Sequence, residues 1–557
     1  IRAAVAGKSG GTFTAARDAA FAAAEAAACK GVAASRCQTT GLYRGGQYVV
    51  YRYHRFSDVR MVFAPEFAAF FFGGDPDNFN FPRHALDAAF LRVYEGGKPA
   101  KTPNFLKWNA AAPAAGESTF VPGYPGSTER LLTVSQLESY RDLSIPVDQL
   151  QRSELRGRMI EYGGRGADEK RLVADPLFNL ENSFKVYFGR QSVLSDRAFM
   201  DAKRAQEAEL RAKVAADPAL AAEIGDPWGE IATAQEAYAV NYLRYRQLEA
   251  EAGRDSVLFS LARGLVRAAA ERGKPSAERL SEFADTRLKT EEWRLTAPRT
   301  IEAPLEQLYL EHWLLKSREY LASWPADQAA VLDRESPEGL ATRLVSGTKL
   351  ADPAVRKALW DGGMAAVIAS DDPLIRYVLQ MDAAARTART AWETQVAGPT
   401  DEAAERIARA RFAVYGDSVY PDATFTLRLS YGKVEGWTHR GTEVTPFTTL
   451  GGTFARATGE APYALAPSWI AAEGRLDKDI VYNFTTTNDI IGGNSGSPVV
   501  NAKGEVIGAA FDGNIHSLGG AYGYDGAVNR TVAVSSAAIT EALTVVYGRE
   551  ALVKELT

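Results

Sequence analysis

The sequence predicts a protein of mixed β and α structure, in which a large helical block lies between two β regions. Short runs of β-branched and aromatic residues bounded by Gly and Pro, which are typical of strands, occupy the first and last parts of the chain. The middle part instead carries Ala, Leu, Glu and Arg at helical spacing. A chain of 557 residues is also too long for one ordinary core, so several domains are expected.

The first predicted region covers residues 1–144. It begins with an Ala-rich segment that favours a helix, and its strand-like runs are QYVVYRYHRFSDVRMVFAP, DAAFLRVYE and STFVPGYPG. The chain starts at Ile1 and has no signal-peptide core there, so we expect that an upstream segment is missing. Cys29 and Cys37 are spaced for a small disulfide loop, and two free thiols are the alternative.

The second predicted region, residues 145–415, is an inserted helical domain in which Pro and Gly mark helix starts and stops. Strand-like runs return in the third region, residues 416–557. They are TFTLRLSYGKVEGW, IVYNFTTTN, SPVVN, EVIGAAF and RTVAV. The segment SSAAITEALTVVYG then predicts a closing helix.

Composition excludes several classes of function. The net charge of −5 and the pI of about 5.8 provide no basic surface for nucleic acid or an anionic membrane. The sequence contains no run of eighteen apolar residues, so we expect no segment that spans a bilayer. We expect no metal and no cofactor, because the histidines are scattered without metal-ligand spacing. They are His54, His84, His312, His439 and His516.

The stretch GGNSGSPVVNAKGEVIGAAFDGN, residues 492–514, carries a candidate nucleophile, Ser495. Glycines on both sides allow a tight turn that exposes the hydroxyl. In such a turn the N–H groups of Gly493 and Ser495 form an oxyanion hole. The strand, turn and strand that follow are typical of a chymotrypsin-like second barrel. The alternative is an ordinary hairpin loop.

A nucleophilic serine needs an imidazole base, and the base needs a carboxylate that orients it. The segment FGGDPDNFNFPRHALDAAFLRVYE offers Asp75, Asp77 and Asp87. We favour Asp87, because it directly precedes an apolar strand-like run where an orienting carboxylate would be buried. A turn residue at the start of that strand is the alternative.

None of the histidines fits the expected position of the base. His54 lies between arginines, and His84 is only three residues before Asp87, which favours a structural role. His439 and His516 follow the helical block. We therefore expect the catalytic histidine on a missing upstream segment.

Four motifs together resemble the bacterial dipeptidyl-peptidase 7 and 11 family of serine exopeptidases, from about residue 40 to the C-terminus. They are FGGDPDNFNFPRHALDAAFLRVYE, VPGYPGSTERLLT, TNDIIGGNSGSPVVNAKGEVIGAAFDGNI and NRTVAVSSAAITEAL. The resemblance implies a chymotrypsin-like double β-barrel with an α-helical domain inserted between the barrels. The first barrel would be incomplete at its N-terminus. It also implies release of dipeptides from free N-termini, a periplasmic or cell-surface location in a Gram-negative bacterium, and a homodimer.

The resemblance also implies roles for individual residues. Ser495 matches the nucleophile and Asp87 the triad aspartate, whereas the family's upstream N-H-H motif with the histidine is absent here. Four residues match a site for the α-ammonium group of the substrate: Asn78, Phe79, Asn182 (with Asn179 as a nearby alternative) and Asp512.

Gly513 matches a position that selects the second substrate residue in the family. An Arg there accompanies acidic substrates, so Gly513 predicts an open, uncharged pocket for aliphatic or aromatic residues. A turn glycine without a role in selection is the alternative.

Two other functions stay open. One is a chymotrypsin-like periplasmic endopeptidase, which would need an open cleft and no ammonium site. The other is an inactive peptide-binding relative that lacks the catalytic histidine. Cleavage of a peptide with a blocked N-terminus would distinguish the endopeptidase from the exopeptidase.

Overall fold

A computed structural model describes residues 1–33, 35–332, 334–416 and 418–557. It confirms a mixed α and β fold. The strands are β1 Ser35–Leu42, β2 Gln47–His54, β3 Asp58–Phe63, β4 Phe90–Glu95, β5 Lys98–Pro99, β6 Lys107–Trp108, β7 Ser118–Gly123, β8 Arg428–Lys433, β9 Trp437–His439, β10 Thr442–Val444, β11 Phe447–Thr449, β12 Val481–Thr486, β13 Pro498–Asn501, β14 Glu505–Gly513 and β15 Thr531–Ser535.

The α-helices are α1 Arg2–Val5, α2 Gly10–Cys29, α3 Phe67–Phe70, α4 Gly74–Asp77, α5 Val134–Ser139, α6 Ile145–Gly163, α7 Ala167–Ser195, α8 Arg197–Ala215, α9 Pro218–Ile224, α10 Pro227–Tyr245, α11 Val257–Glu271, α12 Asp285–Thr296, α13 Ala303–Tyr320, α14 Pro325–Leu332, α15 Pro337–Gly347, α16 Pro353–Ala369, α17 Pro373–Trp392, α18 Gly398–Tyr415, α19 Leu450–Arg456, α20 Pro467–Ala472, α21 Ser536–Glu541 and α22 Glu550–Leu556. Short 3₁₀ or π segments are Tyr43–Gly45, Tyr140–Ser144, Arg246–Ala250, Ser276–Glu278, Ser281–Phe283, Glu393–Ala397, Ile515–Ala521 and Ala542–Val546.

The chain forms two compact units. The first comprises Ile1–Tyr53, Thr133–Leu180 and Asp201–Val419, and the second comprises His54–Leu132, Glu181–Met200 and Tyr420–Thr557. The first unit is mainly helical, and the second contains the larger sheet together with every residue proposed for the substrate site.

Helix starts in the first unit follow a common local pattern. A side chain that caps the N-terminus is followed at once by Pro, whose fixed φ suits the first helical position. The caps at α9, α10, α15, α16 and α17 are Asp217, Asp226, Ser336, Asp352 and Asp372. Helices α11, α13, α15, α16 and α17 then bury one large apolar core that includes Phe259, Leu314, Leu344 and Ile375. Full burial of each such side chain stabilises the unit by about 1.5–3 kcal/mol.

A disulfide joins Cys29, at the end of α2, to Cys37 in β1. The spacing left open whether these thiols are paired, and the structure pairs them. The bond lies in the first unit, where the backbone N–H of Thr39 also donates to Glu25 Oε1 at 2.7 Å. The two contacts hold β1 against α2.

The larger sheet of the second unit has the strand order β11-β12-β15-β14-β13-β7-β8, and β6 pairs with β14. Strands β13 and β14 form the hairpin expected from SPVVN, NAKG and EVIGAAF, with Val499 opposite Gly508. A second sheet contains β3, β4 and β5. Within the residues that the structure describes, neither sheet closes into a barrel.

Burial alternates along the outer strand β8, where one side chain is partly buried and the next is exposed. This pattern is typical of a strand with one solvated face. Across the described ranges, no helix is both long and apolar enough to cross a lipid bilayer.

Candidate active site

Ser495 lies in the turn that leads into β13, and its side chain is exposed. The turn depends on Gly493, whose φ of +108° favours glycine. A Cβ at Gly493 would lie 2.6 Å from the carbonyl oxygen of Tyr124. Ser495 Oγ donates a long hydrogen bond, 3.4 Å, to the carbonyl oxygen of Phe511 in β14. The turn therefore presents the hydroxyl to solvent beside the end of β14.

The N–H groups of Gly493 and Ser495 have no acceptor among the described residues. Their neighbours are bonded, since Gly496 N donates to Ala510 O at 2.7 Å and Asn494 N donates to Ile491 O at 3.1 Å. Two free backbone donors beside an exposed hydroxyl can stabilise an oxyanion.

Asp512 follows Phe511 and forms the buried centre of a polar cluster. Its side chain is 5% exposed. Oδ2 accepts from the backbone N–H of Phe79 at 3.0 Å and from Arg83 Nη1 at 2.7 Å, and Oδ1 accepts from the N–H of Gly513 at 2.8 Å. Burial raises the pKa of Asp512, and the charge of Arg83 opposes that shift.

Asn78 and Asn182 join this cluster, because Asn78 Nδ2 donates to Asn182 Oδ1 at 2.9 Å. Asn182 comes from α7, and Lys185, one turn further along that helix, forms an ion pair with Asp75 at 2.9 Å. Phe79 has a φ of +61°, which is unusual for a bulky residue. The structure thus brings together Asn78, Phe79, Asn182 and Asp512, and strained backbone at Phe79 aims its N–H at the carboxylate.

Asp87 lies just before β4 and is partly buried. Burial raises its pKa to about 6, the charge of Arg83 lowers it, and the charge of Asp512 raises it. Among the described residues, none donates a hydrogen bond to the Asp87 carboxylate. The adjoining backbone is fixed, since Asn483 Nδ2 donates to Ala85 O at 2.9 Å. Asp87 is therefore a positioned carboxylate without a bound donor.

The other two acidic candidates are occupied by basic partners. Asp77 accepts from Arg456 Nε at 2.9 Å and from the Tyr463 hydroxyl at 3.1 Å. Asp75 is paired with Lys185. Of the three candidate carboxylates, Asp75, Asp77 and Asp87, only Asp87 has no ion pair with a cationic side chain among the described residues.

The histidines do not contact the nucleophile. His84 is buried, and burial, followed by the charge of Arg456, lowers its pKa to about 4. His439 Nδ1 lies 3.0 Å from His516 Nε2, and His54 lies 3.4 Å from Glu95. In the part of the chain that the structure describes, no histidine bonds to the serine or to the aspartate proposed for the triad, and no group of three or more His, Cys, Asp or Glu side chains could hold a metal.

Gly513 ends β14 and precedes the 3₁₀ segment Ile515–Ala521. A Cβ at Gly513 would lie 2.1 Å from Ser517 Oγ, so any side chain there must displace Ser517. Asn514 holds Ser517 in place, because its Oδ1 accepts from Ser517 N at 3.2 Å. The space beside Gly513 is thus set by a polar, uncharged neighbour.

Arg83 is the residue of this site that sequence reasoning missed. Its side chain is 2% exposed, and Nη1 also donates to Asp77 O at 2.6 Å. The segment PRH directed attention to His84 instead. A hint was present in the sequence, because a buried arginine needs a carboxylate partner, but the partner is 429 positions away.

The family model of peptidase S46 matches residues 1–557. The chain is 30% identical to an Asp/Glu-specific dipeptidyl-peptidase of Shewanella putrefaciens, over 94% of this chain and 77% of that protein. It is 25% identical to dipeptidyl-peptidase 7 of Phocaeicola vulgatus, over 95% of this chain and 76% of that protein. In fold it resembles DPP11 of Porphyromonas endodontalis, whose structure was solved with the dipeptide Arg-Asp. That likeness has a TM-score of 0.76 at 20% identity and covers 99% of this chain and 81% of the other. The chain belongs to the peptidase S46 family.

Proposed function

We propose that this peptidase is a serine exopeptidase that releases dipeptides from the free N-terminus of peptides. One observation carries the proposal. Asn78, Asn182 and Asp512 form one polar cluster. Asp512 directly follows Phe511, whose carbonyl oxygen accepts a hydrogen bond from Ser495 Oγ. A group that grips a cationic chain end at this separation from a nucleophile would set the length of the released product.

The proposed chemistry is acyl transfer. Ser495 Oγ attacks the carbonyl carbon of the second substrate residue, and the N–H groups of Gly493 and Ser495 stabilise the resulting oxyanion. Asp87 would orient the imidazole base that takes the hydroxyl proton. The imidazole then returns the proton to the departing amine, and water releases the dipeptide from the serine ester.

The proposed ammonium site combines one buried carboxylate with two side-chain amides. Because Arg83 forms an ion pair with Asp512, the carboxylate can stay ionised without a substrate. An ammonium 4 Å away would gain about 4 kcal/mol at a protein surface. The amide oxygens of Asn78 and Asn182 would accept the remaining N–H groups. The ring of Phe79 would cover the site.

We further propose that aliphatic or aromatic residues are preferred at the second substrate position. The Shewanella putrefaciens relative is Asp/Glu-specific, whereas the name dipeptidyl-peptidase 7 states no preference. Gly513 supports the uncharged preference, because it and the adjoining Ser517 provide no cation for an acidic side chain. We also propose the chymotrypsin-like double barrel with the division at residues 1–144, 145–415 and 416–557, a homodimer, and a periplasmic or cell-surface location.

The experiment that tests this proposal measures kcat/KM for fluorogenic dipeptides with Leu, Phe, Asp or Glu as the second residue, using the full-length protein. We expect Leu and Phe to exceed Asp and Glu by at least about tenfold. Gly513→Arg should reverse that order, whereas Gly513→Gln, of similar length and no charge, should not. Preference for Asp or Glu in the unaltered protein would contradict the specificity proposal.

A second candidate function follows from the absence of a histidine bonded to Ser495 or Asp87 in the described ranges. A relative without a catalytic base would bind peptides without cleaving them. A fluorophosphonate that reacts with activated serines distinguishes the two. Labelling of Ser495 supports the enzyme, and peptide binding without labelling supports the binding protein.

Asp87 leads to a prediction about pH. Its folded-state pKa of about 6 exceeds the ordinary value of 3.8. Its contribution to stability is therefore complete below pH 4 and is lost as the pH rises through 6. Because asparagine cannot ionise, the Asp87→Asn variant should not lose this stability. Its free energy of unfolding, relative to that of the unaltered protein, should therefore rise by about 1–3 kcal/mol from pH 4 to pH 8. Urea unfolding at both pH values measures this, and a difference that does not change with pH would contradict it.

A further inference from the structure

Four neighbouring strands of the larger sheet have one terminus each on the side of the sheet where the nucleophile lies, and this row of strand termini is called the edge below. Strands β14, β13, β7 and β8 are neighbours in that order, and each pair is antiparallel. The edge is therefore formed by the end of β14, the start of β13, the end of β7 and the start of β8. The register confirms this, since Pro498 pairs with Ala509 and Pro122 pairs with Leu429.

This order places two different groups on opposite sides of Ser495. Asp512 lies at the end of β14, on one side of the turn that precedes β13. Tyr124 follows β7, and Phe425 precedes β8, on the other side. The contact with the turn is close, because Gly126 N donates to Gly492 O at 2.7 Å.

Tyr124 and Phe425 form an exposed aromatic pair next to the proposed oxyanion hole. Their ring centroids are 6.4 Å apart, and the side chains are 40% and 59% exposed. Leu427, also exposed, extends the apolar surface towards β8. An exposed apolar patch that adjoins a reactive group is a candidate binding surface.

The backbone holds Phe425 in an unfavourable conformation. Its φ is +54°, in the left-handed region that bulky residues rarely adopt. Two acceptors fix it there, since Phe425 N lies 3.0 Å from Pro125 O and 2.7 Å from Gly126 O. Strain that is maintained for an exposed ring points to a role in binding rather than in packing.

Ionic and polar contacts make the surroundings of this pair rigid. Asp422 Oδ1 accepts from Thr128 Oγ1 at 2.8 Å and from Arg130 N at 2.8 Å. Arg130 Nη2 donates to Asp489 Oδ1 at 2.8 Å, which connects the same loop to the segment before the nucleophile turn. These contacts join the segments that carry the aromatic pair to the segment before Ser495, which favours a preorganised surface.

We propose that Tyr124 and Phe425 bind the side chain of the residue that follows the cleaved bond and favour apolar or aromatic residues there. The inference rests on the proposed function. If the N-terminal dipeptide extends from Asp512 to Ser495, the rest of the substrate continues past Gly493 towards β7. Adjacent strands are about 4.8 Å apart and an extended residue spans about 3.3 Å, so the side chain of the first residue after the bond can reach Tyr124.

The test uses free-amine tetrapeptides that share the dipeptide cleaved fastest and vary the third residue among Phe, Leu, Ala and Gly. We expect kcat/KM for Phe and Leu to exceed that for Gly by about tenfold. Phe425→Ala and Phe425→Gly should both reduce this ratio to about two or less. Glycine adopts the left-handed backbone of Phe425 without strain. If Phe425→Gly keeps the tenfold preference and Phe425→Ala loses it, the role of Phe425 is purely conformational and the inference is overturned.

Tyr431→Ala is the matched control. Tyr431 is 80% exposed on β8 but lies further from the edge, and its removal should leave the ratio unchanged. Equal rates for all third residues in the unaltered protein would overturn the inference while the dipeptide release itself still stands. Absence of dipeptide release from every tetrapeptide would overturn the proposed function as well.

Discussion

Replacement of Ser495 by alanine is expected to lower kcat for dipeptide release by about 10⁴-fold or more. The reason is chemical, because alanine has no oxygen to form the ester on which the second half of the reaction depends. Loss of a catalytic serine removes the gain supplied by the whole triad, and only the contribution of the oxyanion hole and of substrate binding is left. Single-turnover and steady-state rates on the same peptide measure the effect.

Ser497 provides the matched control, since it lies in the same Gly-rich turn but is buried. Ser497→Ala should retain activity within about tenfold, with a change in stability of at most a few kcal/mol. Substantial dipeptide release by Ser495→Ala, with the Ser497 variant unaffected, would remove Ser495 from the mechanism.

Asp512→Asn is expected to reduce kcat/KM for free-amine peptides by about a thousandfold. The substitution keeps the shape of the side chain but removes the charge that attracts the ammonium group, an interaction of about 4 kcal/mol. It also leaves Arg83 buried without its anionic partner, so the variant should lose stability as well, by up to about 3–5 kcal/mol. Rates must therefore be compared at a temperature where both proteins are fully folded.

Asn182→Ala separates the two effects, because Asn182 bonds to Asn78 and not to Arg83. We expect it to weaken the binding of free-amine peptides by about tenfold with little change in stability. If Asn182→Ala and Asp512→Asn both leave kcat/KM unaltered, the cluster has no role in substrate binding.

Much of the fold could be predicted because its determinants are local. Runs such as IVYNFTTTN and RTVAV form Val481–Thr486 and Thr531–Ser535, where nearly continuous burial favours β-branched and aromatic residues. Helix starts were equally local, since a capping Asp or Ser followed by Pro specifies the first turn. The run TFTLRLSYGKVEGW was predicted as one strand, but β8 is only Arg428–Lys433. The left-handed Phe425 interrupts the extended backbone before it.

The parts that escaped prediction depend on contacts between distant positions. Arg83 and Asp512 are far apart in the chain, and neither has a local pattern that indicates the other. The same holds for Tyr124 and Phe425, which become neighbours only because β7 pairs with β8. The resemblance to a known family named Asp512 and Asn78 individually, but the arginine that makes a buried carboxylate tolerable had to come from the structure.

The central claim is that a site for a cationic chain end measures the product from Ser495. The most direct test is mass spectrometry of the products that the full-length protein makes from one ten-residue peptide, with its N-terminus either free or acetylated. We expect successive dipeptides from the free peptide and at least about a thousandfold slower cleavage of the acetylated one. Internal fragments, or equal cleavage of both peptides, would contradict it.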